Sequence, residues 1–228
     1  MLDEKEKQVY NKTTEITNGG VAMQCEMARQ FFDMLTVITA KQKIPKEYDL
    51  IDENIWISKK AKITKSAYIK GPAIICEDAE IRHCAFIRGN AIVGKNTVVG
   101  NSTELKNCIL FDNVQVPHYN YVGDSILGYK AHMGAGSIMS NVKSDKKLVI
   151  IKNKITGEQI ETKRKKVGAM IGDYVEIGCG SVLNPGTIIG KNTNIYPLSS
   201  VRGVIPQNSI YKNEKNIITR ADINNIKS

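Results

Sequence analysis

Nine aliphatic residues stand six apart without a break: Ile57, Ile63, Ile69, Ile75, Ile81, Ile87, Val93, Val99 and Leu105. An alanine follows each of the first six by four places, at Ala61, Ala67, Ala73, Ala79, Ala85 and Ala91. A period of six suits neither the 3.6-residue turn of a helix nor the two-residue alternation of a half-buried strand; it is the hexapeptide repeat of a parallel β-helix. Each hexad supplies one short strand and one corner, so three hexads close a triangular coil. The aliphatic residue fills the interior, and the small residue fits where the bend leaves no room for branches. A chance run in a β-rich chain does not produce two paired columns.

The pattern returns in shifted phase, as loops between coils require. Leu127, Met133 and Met139 keep the six-residue step, and so do Ile171, Ile177, Leu183, Ile189, Ile195 and Val201. Gly94, Gly100, Gly128, Gly134, Gly172, Gly178 and Gly190 each directly follow a head aliphatic, where a residue without Cβ eases a tight corner. About nine or ten coils follow if each takes roughly eighteen residues.

The 228 residues suit one elongated domain with a small appendage. Five cysteines, Cys25, Cys76, Cys84, Cys108 and Cys179, form no C-x-x-C pair, which argues against a disulfide framework or a zinc knuckle. The charged segment Met1 to Lys12 has no apolar core for a signal peptide, and no apolar run reaches membrane-spanning length. A cytoplasmic protein with no membrane partner is expected. The net charge of +9 comes without any nucleic-acid-binding signature, so no nucleic acid is expected as a partner. Much of the surplus sits between Lys143 and Lys166, where nine Lys or Arg face Asp145, Glu158 and Glu161. So local an excess suits a small anionic ligand or simply a solvated basic loop.

Met23, Met27, Phe31, Met34, Leu35 and Ile38 stand at helical spacing between Asn18-Gly19-Gly20 and Pro45, which predicts an amphipathic helix over 21–41. Such a helix would cap the open end of the stack. Leu148 to Lys152 and Ile160 to Thr162 flank a Thr156-Gly157 turn, the signature of a hairpin. The expected division is a helical cap over 1–50, a β-helix over 51–212 with a hairpin insertion at 146–166, and a tail over 213–228.

Arg88 and Lys106 lie eighteen apart, one full coil, each directly after a hexad head. Their side chains should share a face about 4.8 Å apart along the stack. Like charges at that spacing repel unless an anion lies between them, which a phosphate or diphosphate would supply. A solvent-screened column is the alternative, and Lys70, one coil below, shows that such columns need not all be functional. The segment Val116-Pro117-His118-Tyr119-Asn120-Tyr121-Val122-Gly123-Asp124 breaks the hexad phase and sets a histidine and two tyrosines beside a turn. Histidine suits proton transfer near neutral pH, which makes His118 a candidate and no more.

Gly100-Asn101-Ser102-Thr103-Glu104-Leu105-Lys106, the His118 segment, Gly123-Asp124-Ser125-Ile126-Leu127-Gly128 and Met133-Gly134-Ala135-Gly136 follow one another in a telling order. Together they resemble the acetyltransferase half of bacterial bifunctional N-acetylglucosamine-1-phosphate uridyltransferase/glucosamine-1-phosphate acetyltransferase, and most of all its stand-alone hexapeptide-repeat relatives. The resemblance covers roughly residues 50 to 212. It implies an all-β, left-handed parallel β-helix, an exception to the usual right-handed crossover, assembled as a homotrimer with sites between subunits. It also implies acetyl-CoA as co-substrate, no metal, and an amino-sugar phosphate or nucleotide sugar as acceptor. The catalytic histidine of the family falls on His118, and its phosphate-binding residues fall on Arg88 and Lys106. Its substrate tyrosine falls on Tyr121, and its coenzyme A contacts fall near Ala135, Asn141, Cys179 and Pro197. The substrate lysine matches either Lys147 or Lys166.

Two positions depart from the pattern. His132 stands where the family has a substrate asparagine, and Val142 where an aromatic follows the coenzyme-side asparagine. The nucleotidyl-transfer half, with its glycine-rich phosphate loop, has no counterpart among these residues. The function expected is coenzyme A-dependent N-acetyl transfer to a glucosamine-1-phosphate-like acceptor. A non-catalytic nucleotide-sugar sensor or scaffold of the same fold is the alternative. A β-helical zinc enzyme of the carbonic anhydrase type would need His83, His118 and His132 to converge on one ion, which their phases do not favour.

Overall fold

The structure, a computed structural model, describes residues 46–52 and 54–219, so the helix expected over 21–41 and Cys25 lie outside the described residues. From Ile55 onward the chain turns through three faces in repeating order. The first face stacks Ile55–Ser58, Ala73–Ile75, Ala91–Val93, the ends of Glu104–Leu110 and Tyr121–Leu127, then Ala169–Ile171, Thr187–Ile189 and Val204–Ile205. The second stacks Lys62–Ile63, Glu80–Ile81, Val98–Asn101, Gln115–His118, His132–Met133, Glu176–Ile177, Asn194–Ile195 and Ser209–Asn213. The third stacks Tyr68–Ile69, Phe86–Ile87, the starts of Glu104–Leu110 and Tyr121–Leu127, then Ile138–Met139, Val182–Leu183 and Ser200–Val201. All of these pairings are parallel, which defines a β-solenoid of the kind the hexads call for. Among the described residues every named element is a strand.

Coils open at Ile55, Ala73, Ala91, Cys108, Ser125, Ala169 and Thr187, and Val204 begins an eighth that ends after its second strand. The described stack is therefore shorter than the nine or ten coils expected from length alone. Residues 140–168 account for the difference, because after Met139 the chain leaves the stack and returns only at Ala169. Near the top the inward step from Val201 to Ile205 is four residues, and two corners lower down are one residue short: the step from Leu105 to Leu110 and from Val122 to Leu127 is five instead of six, as the register Leu105↔Val122 and Leu110↔Leu127 requires. At both, the strand runs on through the bend, and Asn107 and Asp124 turn it with φ of 47° and 50°.

The inward column is one continuous core. Ile75, Ile81, Ile87, Leu105, Leu110, Leu127, Met133, Met139 and Ile171 are buried side by side, with Ala73, Ala79, Ala85 and Ala91 sealed at the bends. Each such aliphatic contributes roughly 1.5–3 kcal/mol by leaving water. The corner glycines serve close approach more than backbone freedom. A Cβ on Gly100 would lie 1.6 Å from the Pro117 carbonyl oxygen of the next coil, and one on Gly134 would lie 2.6 Å from the Cys179 nitrogen.

The excursion at 140–168 carries the hairpin, Ile150–Lys152 paired antiparallel with Gln159–Glu161. It lies on the outer side of the first face. Val149, Ile151 and Val167 bury Met170 and Ile188 there, with Ile160 and Val204 at the margin. Antiparallel strands also close two sheet edges, Tyr48–Asp52 against Ile55–Ser58 below and Asn216–Thr219 against Ser209–Asn213 above. Covering an edge removes a template for unwanted pairing.

Because the Pro117 backbone cannot retreat without moving a whole coil, Gly100→Ala should lower stability by about 2 kcal/mol or more. A thermal melt that matches the parent protein would show that the coils can slide apart.

Candidate functional site

The edge between the second and third faces carries a vertical row set by backbone hydrogen bonds. Ser102 N donates to the His83 carbonyl, Tyr119 N to Asn101, Gly136 N to His118, Gly180 N to Ala135 and Leu198 N to Cys179, all within 2.8–3.0 Å. His118, Ala135, Cys179 and Pro197 therefore stand one above another on successive coils, and all four are exposed. The sequence separates Ala135 from Cys179 by the whole hairpin excursion, yet the fold makes them neighbours.

The His118 corner is fastened by Asn120, only 2% exposed. Its Oδ1 accepts the His118 N–H at 3.1 Å, and its Nδ2 donates to the carbonyls of Gly134 at 2.9 Å and Ser137 at 3.2 Å in the coil above. A buried amide with every bond satisfied holds geometry firmly. Asn120 thus positions His118 relative to Ala135, a role that sequence reasoning missed. The available signal was an asparagine inside the phase-breaking segment, at a level where hexads place small or aliphatic residues.

A second cluster occupies the edge between the third and first faces. Arg88 Nη1 donates to Glu104 Oε1 at 2.6 Å, and Lys106 Nζ lies 3.7 Å from Asp124 Oδ2. Hydrogen bonding to Glu104 raises the Arg88 guanidinium further above its ordinary range. Asn90 donates to Asn107 and Asn107 to Asp124, each at 2.9 Å, and Asn141 donates to the other Asp124 oxygen. Asn141 Nδ2 also donates to the Tyr121 hydroxyl at 3.2 Å. Burial, with the Asp124 and Glu104 carboxylates behind it, raises the Tyr121 pKa, so the phenol stays protonated and able to donate. Gly123 leaves room for that ring, since a Cβ there would stand 2.4 Å from the Tyr121 oxygen. Arg88, Lys106, Tyr121 and Asn141 thus form one polar patch. Glu104, Asp124 and Asn107 complete it, and nothing in the hexad pattern marked them.

The remaining expected residues lie elsewhere on the chain. His132 sits on the second face with Nδ1 2.7 Å from Glu176 Oε2. Lys147 and Lys166 are exposed on the excursion, Lys166 facing Val142 in an isolated antiparallel bridge. Asn141, expected near coenzyme A, stands with the cation patch and not on the His118 edge. The hairpin covers the first face, which in a three-sided coil is opposite the His118 edge. His83, hydrogen-bonded to Ser66 at 2.9 Å, is two coils below His118 on the same edge, and His132 faces another way. Among the described residues no three His, Cys, Asp or Glu side chains gather as metal ligands would.

A parallel β-helix built on hexapeptide repeats, with a histidine edge and a cation patch flanking one face, is the class of protein these features define. The family model of the GMPPB C-terminal domain matches residues 69–167. The chain is 38% identical over 118 residues to the bifunctional protein GlmU of Methanococcus maripaludis, a match that takes in 51% of this chain and 28% of that protein. It is 33% identical over 109 residues to the bifunctional sugar-1-phosphate nucleotidylyltransferase/acetyltransferase of Sulfurisphaera tokodaii, covering 48% of this chain and 27% of the relative. The chain thus spans about a quarter of the curated relatives it matches, in their C-terminal, acetyltransferase portion. Among solved structures it is similar to a hexapeptide transferase family protein from Anaplasma phagocytophilum, with a TM-score of 0.47 and 16% identity over 75% of this chain and 83% of that one.

Thiol chemistry reads out this arrangement. Burial raises the Cys108 pKa far above the ordinary thiol range, whereas Cys179 is exposed on the His118 edge. An alkylating reagent should modify Cys179 in the native protein and leave Cys108 untouched. Peptide mass mapping that finds Cys108 labelled as fast as Cys179 would contradict the packing.

Proposed function

We propose that the protein is a coenzyme A-dependent N-acetyltransferase acting on an amino sugar that carries a phosphate, working as a cytoplasmic homotrimer. One observation carries the reading: His118 shares a solenoid edge, coil upon coil, with Ala135, Cys179 and Pro197, three of the four residues near which the resemblance places coenzyme A. Small exposed side chains there leave a track for an extended pantetheine arm that ends at a histidine. On the other side of the third face, Arg88 and Lys106 offer charge-assisted hydrogen bonds to the acceptor phosphate.

In this reading the acceptor amine forms a C–N bond to the thioester carbonyl carbon while His118 takes its proton. The carbonyl oxygen becomes an oxyanion beside the N–H of Ala135, which has no backbone partner among the described residues. The C–S bond then breaks, and the departing thiolate recovers the proton from His118. No acyl-enzyme forms. Tyr121, kept protonated, donates to the sugar. The basic hairpin faces away from its own chain's His118 edge, so its lysines would meet coenzyme A phosphates on a neighbouring copy.

His118→Ala should cut acetyl transfer by at least about a hundredfold, with the light-scattering mass and melting temperature unchanged, because the ring is exposed. An active variant, or one that unfolds, would assign His118 a structural role.

His132 bears on the acceptor. A histidine in place of an asparagine loses an amide that donates and accepts at once. His132→Asn should raise the rate with glucosamine 1-phosphate if the departure tunes specificity. No transfer by either form, with nucleotide-sugar binding intact, would favour a sensor.

A further inference from the structure

The lower part of the third face presents two aromatic rings to water directly beneath the cation patch. Tyr68 and Phe86 hold outward positions on successive coils, in register with each other and with Glu104 above. Their ring centroids are 5.7 Å apart with the ring planes tilted by 54°, and the two residues are 62% and 38% exposed. The outer side of the second face carries no ring by contrast, with Lys62, Glu80, Val98, Gln115 and His132 at equivalent positions. Arg88 joins the rings to the patch: its guanidinium carbon lies 5.9 Å from the Phe86 centroid while Nη1 bonds Glu104. Read upward, one face offers a ring, a ring with a guanidinium, a carboxylate beside Lys106, and then Tyr121 at the level of His118.

That order matches a molecule, and so does its spacing. Coils rise about 4.8 Å, so Tyr68 stands about 14 Å below Tyr121. A sugar monophosphate would engage Arg88, Lys106 and Tyr121 and leave both rings bare. A nucleoside diphosphate sugar would use the whole run, its base on Tyr68 and Phe86, its two phosphates at Arg88 and Lys106, and its sugar beside Glu104 and Tyr121. Planar bases stack on such rings with little regard to sequence, and guanidinium groups suit both base planes and phosphates.

We infer that the acceptor is a nucleoside diphosphate-linked amino sugar whose base stacks on Tyr68 and Phe86. The inference rests on the acetyl-transfer reading for its chemistry but not for its binding surface. The acceptor rises from the lower coils, coenzyme A descends from the upper ones, and the two meet at the coil of His118.

Calorimetric titration of the full chain with uridine, guanosine, cytidine and thymidine diphosphates, each against inorganic pyrophosphate, tests it. At least one nucleotide should bind about tenfold more tightly than pyrophosphate, the weight of one stacked base. Tyr68→Ala with Phe86→Ala should erase that excess and leave pyrophosphate binding as it was, Tyr68→Phe should retain it, and Arg88→Ala should weaken both ligands. Equal affinity for pyrophosphate and every nucleotide overturns the proposal. So does a change of light-scattering mass in the ring variants, which would make the rings a contact between copies. Acetyl transfer, assayed separately, keeps the two readings apart. Transfer to an amino-sugar 1-phosphate without any nucleotide preference overturns the base platform alone. Nucleotide preference without transfer to any amine, free or nucleotide-linked, overturns the acyltransferase reading and leaves the platform standing.

Discussion

The hydrogen bonds that run from coil to coil are the interaction on which everything else depends. A backbone N–H of one coil meets a carbonyl one coil away, from Lys62 with Ala79 at the base to Tyr196 with Tyr211 at the top. This ladder converts separation in sequence into height along an axis, so that within uninterrupted coils residues 16 to 18 apart become vertical neighbours. It also makes the core unforgiving. A slip of one residue would turn every inward Ile, Val or Leu to solvent, so each short strand is held in register by the aliphatic column as much as by its own hydrogen bonds. The excursion at 140–168 is tolerated because it leaves from one corner and returns to the next level of that corner, where Gly168 N donates to the Asp124 carbonyl at 2.8 Å.

The cation patch depends on the same ladder. Two cations stacked at strand spacing would repel, and the fold relieves this by placing a carboxylate one coil above each, Glu104 for Arg88 and Asp124 for Lys106. The two pairs differ in kind. Arg88 with Glu104 is open to water, and an exposed ion pair is weak enough to exchange for a phosphate. Asp124 is nearly buried and already holds Asn107 and Asn141, so it orders the site and does not leave it. An arriving anion would therefore displace Glu104 from Arg88 while Asp124 keeps Lys106 aimed.

What the sequence discloses follows from this division. Period six reveals the coils because burial repeats with the turn, and eighteen-residue spacing foretells the Arg88–Lys106 stack because height is linear in sequence within uninterrupted coils. Alignment of His118 with Cys179 and Pro197 is not readable that way, since the hairpin excursion breaks the count; only the resemblance supplied it. Asn120 and Asp124 escaped for another reason. Their importance lies in side-chain bonds to neighbouring coils, and a polar residue at a corner looks the same in sequence whether it faces water or fastens a site. The glycine columns were legible as corners, but their cause, the nearness of the next coil's backbone, needed the third dimension.

The two five-residue corners fall on successive coils where the expected roles converge. Dropping one residue between Leu105 and Leu110, and again between Val122 and Leu127, carries the strand through the bend; as at most corners of the stack one residue is left-handed, here Asn107 and Asp124, types that tolerate that region better than most side chains. In that conformation their side chains reach up and down the stack and form the amide–carboxylate ladder from Asn90 to Asn141. The loss of hexad phase around His118 is thus a tightening of the solenoid over two successive coils, where Lys106, Tyr121 and Asn141 are tied along one edge and Asn120 fixes His118 on the other. Tyr121 shares the coil of His118, while Lys106 and Arg88 stand one and two coils below it.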